Sequence, residues 1–366
     1  MHFMHKKVTL VVTSDLVTDQ RIHKIASTLA KHNYDVTVIG RKKKNSLSLP
    51  AHLNYKTIRF SCWFNKGKWF YVEFQIRLLF FLLFFNQFDI LNANDLDTLL
   101  PAFIAAKLKR KKLVYDAHEY FTQVPELIHR PFTQKIWLFL EKLLVPKLKK
   151  AITVNEILAE IYQKKYNVTF VSIYNVPFYQ PQTMHSIDAE KEKILIYQGA
   201  LNLGRGIELM IDTMKFLPEW TLWILGTGDK EKELKIRANG IQNIKFWGAV
   251  PYHELQNYTL HARIGLSLEE DFGENYRVAT PNKVFDYIQA RIPVIVSDLP
   301  GLRSILKNFE VGKILTDRKP ENLAKLIKEM EDCQSYHYYR LNCEKAAAFY
   351  CWENQEKKLI EFYENL

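Results

Sequence analysis

Three observations predict an α/β chain made of two doubly wound parallel-sheet domains. Short continuous apolar runs alternate with helix-length segments from end to end, as buried parallel strands with covering helices require. The rhythm restarts after a polar, charge-rich stretch at 180–193. At 366 residues the chain exceeds the usual size of one core, and with 48% hydrophobic residues it can fill two.

In the first series, strands are expected at 8–12, 36–39, 90–92, 113–115 and 152–154, with helices around 19–32, 99–109 and 134–148. In the second, strands are expected at 194–197, 221–225, 244–246, 264–268, 294–296 and 312–315. Helices fall around 206–214, 229–238, 252–261, 281–289 and 320–332. The expected division is a domain at 1–180, a linker near 178–192, a domain at 190–345 and a terminal helix at 346–366. The aromatic stretch 335–366 needs a surface to cover, either on its own domain or back on the first. No repeat of solenoid length is present. Ligands of open parallel sheets bind beyond the strand C-termini, so two such units imply a cleft between them.

Charge is unevenly spread. Residues 1–180 hold 27 Lys+Arg against 13 Asp+Glu, whereas the remainder holds 24 against 27. A large anionic partner is therefore expected only for the first half. Residues 69–88 form an aromatic helix-length run broken by Glu73, Gln75 and Arg77, too short in its uncharged part to span a bilayer. Basic residues surround it in sequence, with Lys66 and Lys68 upstream and runs at 41–44, 107–112 and 147–150. Apolar aromatic surface beside lysine clusters suggests peripheral attachment to an anionic membrane, and a buried helix beside solvated charges is the rival. No nucleic-acid recognition motif accompanies the charge. Cys62, Cys333, Cys343 and Cys351 have no zinc spacing and fit a reducing compartment. The N-terminal run is too short for an export signal, so a cytoplasmic protein, peripheral on the inner membrane face, is expected.

The most informative stretch is Thr280-Pro281-Asn282-Lys283-Val284-Phe285-Asp286-Tyr287. Thr280 is expected to cap a helix, with Pro281 in its first turn. Lys283 and Asp286 share a face, which gives either a surface ion pair or a phosphate site with a sugar-binding acid one turn further in. Gln198-Gly199-Ala200-Leu201-Asn202-Leu203-Gly204-Arg205-Gly206 reads as a strand, a flexible loop and a guanidinium at a helix start, either a diphosphate clamp or a turn with a solvated arginine. Gly226-Thr227-Gly228 is a second glycine turn, weak alone. None of these is a dinucleotide or P-loop fingerprint, which disfavours a dehydrogenase or a nucleoside triphosphatase.

Asp116-Ala117-His118-Glu119 closes a buried strand at the edge where sites form, and His118 can donate to a sugar hydroxyl or a phosphate oxygen. Asp15, Asp19 and Arg21 fall on the same predicted edge, with Asp19 and Arg21 also suited to capping and charging the first helix. Asn94-Asp95-Leu96-Asp97 contains an Asp-x-Asp without a third ligand nearby, so Asp97 serves equally as a helix cap and no metal is assigned.

Together these segments resemble the GT-B glycosyltransferases, specifically the large retaining family 4 that uses nucleotide sugars. The resemblance rests on Gln198-Gly199 through Arg205-Gly206, Gly226-Thr227-Gly228, Phe246-Trp247-Gly248, and Pro281 through Tyr287 with Pro293-Val294-Ile295. Asp19-Gln20-Arg21-Ile22 and Asp116 through Glu119 are similar to the acceptor-domain signatures. The resemblance implies two Rossmann-like domains, a nucleotide-diphosphate sugar on the C-terminal one and a glycan or lipid-linked acceptor on the other, without a required metal or other cofactor. It assigns the donor to Gly199, Arg205, Gly226, Gly228, Asn282, Lys283 and Asp286, and the acceptor side to Asp15, Asp19, Arg21 and Glu119. Catalysis falls to His118, Arg205, Lys283 and a loop acid, and the terminal helix crosses back onto the first domain.

Two departures stand out. The first acid of the family's pair should lie eight residues before Asp286, where this chain has Val278. Glu270, Asp271 or Glu274 can supply that role, Glu270 being preferred. Ala200 also stands where an arginine often follows the first glycine. An inactive membrane-peripheral scaffold of the same fold and a sugar-nucleotide epimerase are the alternative functions.

Overall fold

The structure is a computed structural model, describing residues 5–50, 52–181 and 192–366. The chain divides into unit 1, Met1–Asn175 with Gln355–Leu366, and unit 2, Val176–Asn354. Most of the expected linker, 182–191, lies outside the described residues.

Unit 1 carries strands β1 (Lys7–Asp15), β2 (Asp35–Arg41), β3 (Lys56–Phe60), β4 (Ile90–Asn94), β5 (Lys112–Ala117), β6 (Lys150–Thr153) and β7 (Thr169–Ser172). They form a seven-stranded sheet in the order β3-β2-β1-β4-β5-β6-β7, parallel at every pairing. Its centre is apolar on both faces, with Val8, Leu10, Val11, Ile90 and Leu91 buried, because helices cover both sides. The strand order reverses between β1 and β4, and the loops leaving these two strands diverge there.

The aromatic run becomes the helix Lys68–Phe84. Phe70, Phe74, Leu78 and Leu82 are buried every fourth residue. Trp69, Val72, Ile76, Phe80 and Phe84 nevertheless form an exposed stripe along the same helix. The helix Pro131–Leu144 repeats the arrangement, burying Trp137 and exposing Phe132, Ile136, Phe139 and Leu143. Tyr71 meets Trp137 edge-on with ring centroids 5.6 Å apart, which joins the two helices. Among the described residues no helix is long and apolar enough to cross a membrane.

Unit 2 carries β8 (Ile194–Gln198), β9 (Thr221–Leu225), β10 (Ile244–Gly248), β11 (Ile264–Ser267), β12 (Val294–Ser297) and β13 (Gly312–Leu315). Their order is β10-β9-β8-β11-β12-β13, again all parallel. The reversal now lies between β8 and β11.

The aromatic C-terminal stretch is two helices, Cys333–Phe349 and Trp352–Glu364. The first stays in unit 2, and the chain rejoins unit 1 from Gln355 onward. There Gln355 accepts the Tyr174 N–H at 3.0 Å, and Tyr363 Oη accepts from buried Asn92 at 2.7 Å. Terminal aromatics thus back the strand β4, whose other end carries part of the site described next.

Candidate functional site

In unit 2 the loops after β8 and β11 converge on one buried carboxylate, Glu269. Lys283 donates to it at 2.9 Å, Ser267 Oγ donates to its other oxygen at 2.7 Å, and Arg205 lies 3.8 Å away. Burial works against charge on Glu269, but Lys283, Ser267 and Arg205 together hold its carboxyl below the usual range. The Lys283 ammonium also sits 4.1 Å from the Tyr197 ring centroid, a cation–π contact at the end of β8. Arg205 is about a third exposed, stands over Tyr276 at 5.1 Å, and has a buried Nε without a hydrogen-bond partner. A cation held in place with unspent donors is equipped to receive an anion.

The helix carrying Lys283 runs Asn282–Gln289. Pro281 takes the capping position without a side-chain bond, so Thr280 does not cap it as expected. Pro281 offers the first-turn N–H groups no side chain, the Val284 N–H turns back to Pro281 O at 3.0 Å, and exposed Asn282 lies at that end. Asp286 does not join Lys283 in an ion pair. It accepts from Gln198 Nε2 at 2.9 Å, while Gln198 Oε1 takes the Thr259 hydroxyl at 2.9 Å.

The glycine loops are packed against each other. Gly199 N–H donates to Leu225 O at 3.0 Å. A Cβ on Gly226 would meet Gly199 O at 1.8 Å, and one on Gly206 would meet Leu268 O at 1.9 Å. With φ of +131° and +69° at these positions, both places require glycine. Gly228 lies within the same turn, facing Asn202 and Leu201.

The three candidate loop acids each pair with an arginine. Val278 is buried apolar packing. Glu270 turns to Arg318 at 3.7 Å and ties its N–H to Gly204 O at 2.8 Å. Asp271 and Glu274 pair with Arg277 at 3.5 and 3.1 Å on the surface. Glu269, which the sequence reading passed over, is the acid on Lys283. Arg318 was missed too: its guanidinium binds Ser297 Oγ at 2.6 Å, Glu269 O at 3.1 Å and Leu268 O at 3.0 Å, joining three strand ends. Both stand just beyond a strand C-terminus, which was the available signal.

In unit 1 the corresponding edge is acidic. Arg21 pairs with buried Asp116 through two bonds, at 2.7 and 3.2 Å, and caps Ile173 O at 2.7 Å. His118 lies beside them, its Nε2 3.2 Å from Asn94 Oδ1 and 3.4 Å from Asp116, its Nδ1 3.4 Å from Asp95. Burial disfavours a charged ring, yet Asp95 and Asp116 outweigh it and raise His118 to about 9. Asp95 Oδ1 also accepts the His118 N–H at 2.9 Å. Asp95 itself adopts φ 60°, ψ 167°, a region costing on the order of 1–3 kcal/mol outside glycine. Asp97 does not cap the helix Leu96–Lys109. It takes the Thr13 hydroxyl at 2.5 Å, its Oδ1 is buried without a partner, and burial raises it to about 7.

The other acceptor-side residues divide. Arg21 joins the His118 cluster. Asp19 caps the helix Gln20–Lys31 through the Ile22 N–H at 3.1 Å, and Asp15 pairs with Arg59 at 3.2 Å and with Ser46. Glu119 lies next to the cluster, where its charge acts on Asp97. Among the described residues no group of three or more His, Cys, Asp or Glu is arranged to hold a metal ion.

Two family models match the chain, Glycosyltransferase Family 4 over 19–176 and Glycosyl transferases group 1 over 182–348. No curated protein matches significantly. Among solved structures, sucrose-phosphate synthase from Thermosynechococcus elongatus is similar at TM-score 0.77 and 16% identity, covering 99% of both chains. Anabaena HepE in complex with UDP-glucose matches at 0.76 and 15%, covering 99% of this chain and 100% of its own. WaaG, a glycosyltransferase involved in lipopolysaccharide biosynthesis, matches at 0.69 and 16%, covering 96% and 98%. Two parallel-sheet units, and the two family models in succession, give one conclusion: the chain belongs to the GT-B-fold glycosyltransferases, with a family 4 N-terminal part and a group 1 C-terminal part.

Proposed function

We propose that this chain transfers a sugar, with retention, from a nucleotide-diphosphate sugar to a glycan or lipid-linked acceptor of the cell surface. The observation that carries the reading is Glu269 locked between Lys283 and Arg205 at the β8/β11 reversal. One carboxylate faces two cations there, so a net positive charge is left for a diphosphate. Arg205, Lys283 and the main-chain N–H of exposed Asn282 at the helix start stabilise the departing diphosphate. Asp286, oriented by Gln198, binds a donor hydroxyl. Gly199, Gly226 and Gly228 let the backbone approach the nucleotide. Retention fits same-face attack by the acceptor hydroxyl as the diphosphate leaves. His118 donates to an oxygen of the transferred sugar, and Arg21 and Glu119 belong to the acceptor side. Asp19 and Asp15 support that edge through the helix and loop they fix. UDP and UDP-glucose bound to HepE favour a nucleoside diphosphate sugar as the donor class.

The acceptor side is also where a membrane fits. The stripes Trp69–Val72–Ile76–Phe80–Phe84 and Phe132–Ile136–Phe139–Leu143 are exposed on adjoining helices of the basic half of the chain. Aromatic surface flanked by lysines suits the cytoplasmic leaflet of an anionic membrane, with the protein held peripherally.

The test is calorimetric binding of UDP-, GDP-, ADP- and dTDP-sugars in EDTA to wild type, Arg205→Ala and Asp286→Ala. Saturable binding of one donor, weakened by both substitutions, is expected. A folded protein that binds none of them would refute the transferase reading and favour a scaffold of the same fold. Conversion of the donor without any acceptor would favour an epimerase.

A further inference from the structure

We propose that Asp95 is the positioning residue of His118, its carboxylate gripping the main chain and the ring of the histidine together so that both ring nitrogens are presented as donors. The inference rests on the transferase reading for its purpose, and on geometry for its substance. One Asp95 oxygen accepts the His118 N–H at 2.9 Å, and the other lies 3.4 Å from Nδ1. On the far side of the ring, Nε2 faces Asn94 Oδ1 and Asp116. The Asn94 amide is not free to flip, because its Nδ2 donates to Val11 O at 2.9 Å. Both nitrogens therefore face acceptors only, an arrangement that a neutral imidazole, with one N–H, cannot satisfy.

The grip has a backbone origin. Asp95 is placed at φ 60°, and its own N–H donates to Asp116 O at 2.9 Å. That bond ties the exit of β4 to the end of β5, so the carboxylate leaves the strand already pointing at His118. A residue held in a glycine conformation while using its side chain is constrained by function more than by chain geometry. The other charges bearing on the ring are Asp116, from β5, and Arg21, from the helix Gln20–Lys31, which Asp116 neutralises. Asp97, in the first turn of the next helix, feels the charges of both His118 and Glu119. Of these, Asp95 alone touches both the backbone and the ring. Ring contacts of 3.2 to 3.4 Å are long, so an incoming sugar oxygen can compete for either N–H.

The deciding experiment is an NMR titration of the histidine rings in wild type, Asp95→Gly and Asp95→Asn, with His118 assigned through His118→Gln. Glycine accepts the backbone conformation, so Asp95→Gly is expected to melt no lower than wild type. In it the His118 midpoint should fall by about one to three pH units, and the alkaline limb of the transfer pH profile should move down by the same amount. The same substitution should lower kcat and leave donor KM unchanged. Asp95→Asn keeps the shape and loses the charge, so its activity should recover toward wild type as pH is lowered. An unchanged His118 midpoint in either folded variant would overturn the proposal. Absence of transfer by wild type would count against the proposed function only, because the titration reads Asp95 without turnover.

Discussion

The two strand-order reversals have the same topology and opposite chemistry. At β8/β11 two cations, Arg205 and Lys283, face the single buried carboxylate Glu269, and a third, Arg318, binds its main-chain oxygen. At β1/β4 the carboxylates of Asp95, Asp97 and Asp116 lie around His118 and Arg21. Each site cancels part of its own charge, Lys283 with Glu269 in one and Arg21 with Asp116 in the other. What remains differs. Unit 2 keeps guanidinium donors, suited to a diphosphate, and unit 1 keeps acids and a ring with two donors, suited to hydroxyls. The parallel sheet supplies the place, and the loop residues supply the chemistry.

The sharpest way to break this comparison is to remove the internal cation of one site. Lys283→Met leaves Glu269 buried without its partner and should cost unit 2 about 3–5 kcal/mol, with nucleotide binding lost. Glu269→Gln takes the counter-charge from buried Lys283 but keeps an oxygen that can accept from it, and should cost less. Urea denaturation with nucleotide titration checks both, and equal stability of the two variants would mean that Glu269 is not held as described. His118→Gln should lower transfer about 10²- to 10³-fold, as for loss of one aimed donor, with nucleotide affinity unchanged. A parallel loss of nucleotide affinity would erase the division between the sites.

A smaller effect tests the acidic side through pH. Asp97 is raised to about 7 by burial, from about 3.9 in an unfolded chain. The folded state therefore holds a proton that the unfolded state has released between these values. This contribution to stability is fully present below about 3.9 and lost as pH rises through about 7. Asp97→Asn should gain on wild type at pH 8 by roughly 1–3 kcal/mol and show no gain at pH 4. Thermal melts at the two pH values measure it. A gain that does not depend on pH would mean that Asp97 is not a buried titrating acid.

The sequence was most legible where burial is two-sided. Strands such as β1, β8 and β12 are continuous apolar runs, and they were found. β3 and β7 are edge strands, half-exposed along most of their length, and their Lys-Thr-Ile-Arg-Phe and Thr-Phe-Val-Ser have no such run. The helices Glu156–Tyr166 and Pro300–Asn308 were also passed over. Among the candidate residues, Arg205, Lys283 and His118 each stand at a strand end or a helix start, and Asp286 lies one turn further along the Lys283 helix. The acid on Lys283 could not be chosen from Glu269-Glu270-Asp271 in one dimension. Strand alternation turns Glu269 inward with Ser267 and sends Glu270 to Arg318. Asp95 was read only as half of a weak metal motif, because its positive φ comes from the contacts of β4 with β5, and no neighbouring residue encodes it.

The two units differ once more at their surfaces, and this gives the smallest effect. In unit 2 the exposed large apolar residues are fewer, Phe216 and Ile236 standing on separate elements and Tyr338, Leu341 and Phe349 sharing the helix Cys333–Phe349. In unit 1 nine of them fall on two adjoining helices at helical spacing. Single exposed apolar residues are ordinary, whereas a row of them opposite the buried face of a helix is the pattern that the proposed membrane contact requires. Phe80→Ser and Phe139→Ser each remove one side chain from that row without touching the buried face. Full burial of a phenylalanine contributes about 1.5–3 kcal/mol. Shallow insertion should realise part of that, so flotation with anionic vesicles should weaken roughly tenfold per substitution, with stability unchanged. Loss on Lys66→Glu and Lys68→Glu, but not on the phenylalanine changes, would make the attachment electrostatic. It would then follow the charge of unit 1 and not its stripes.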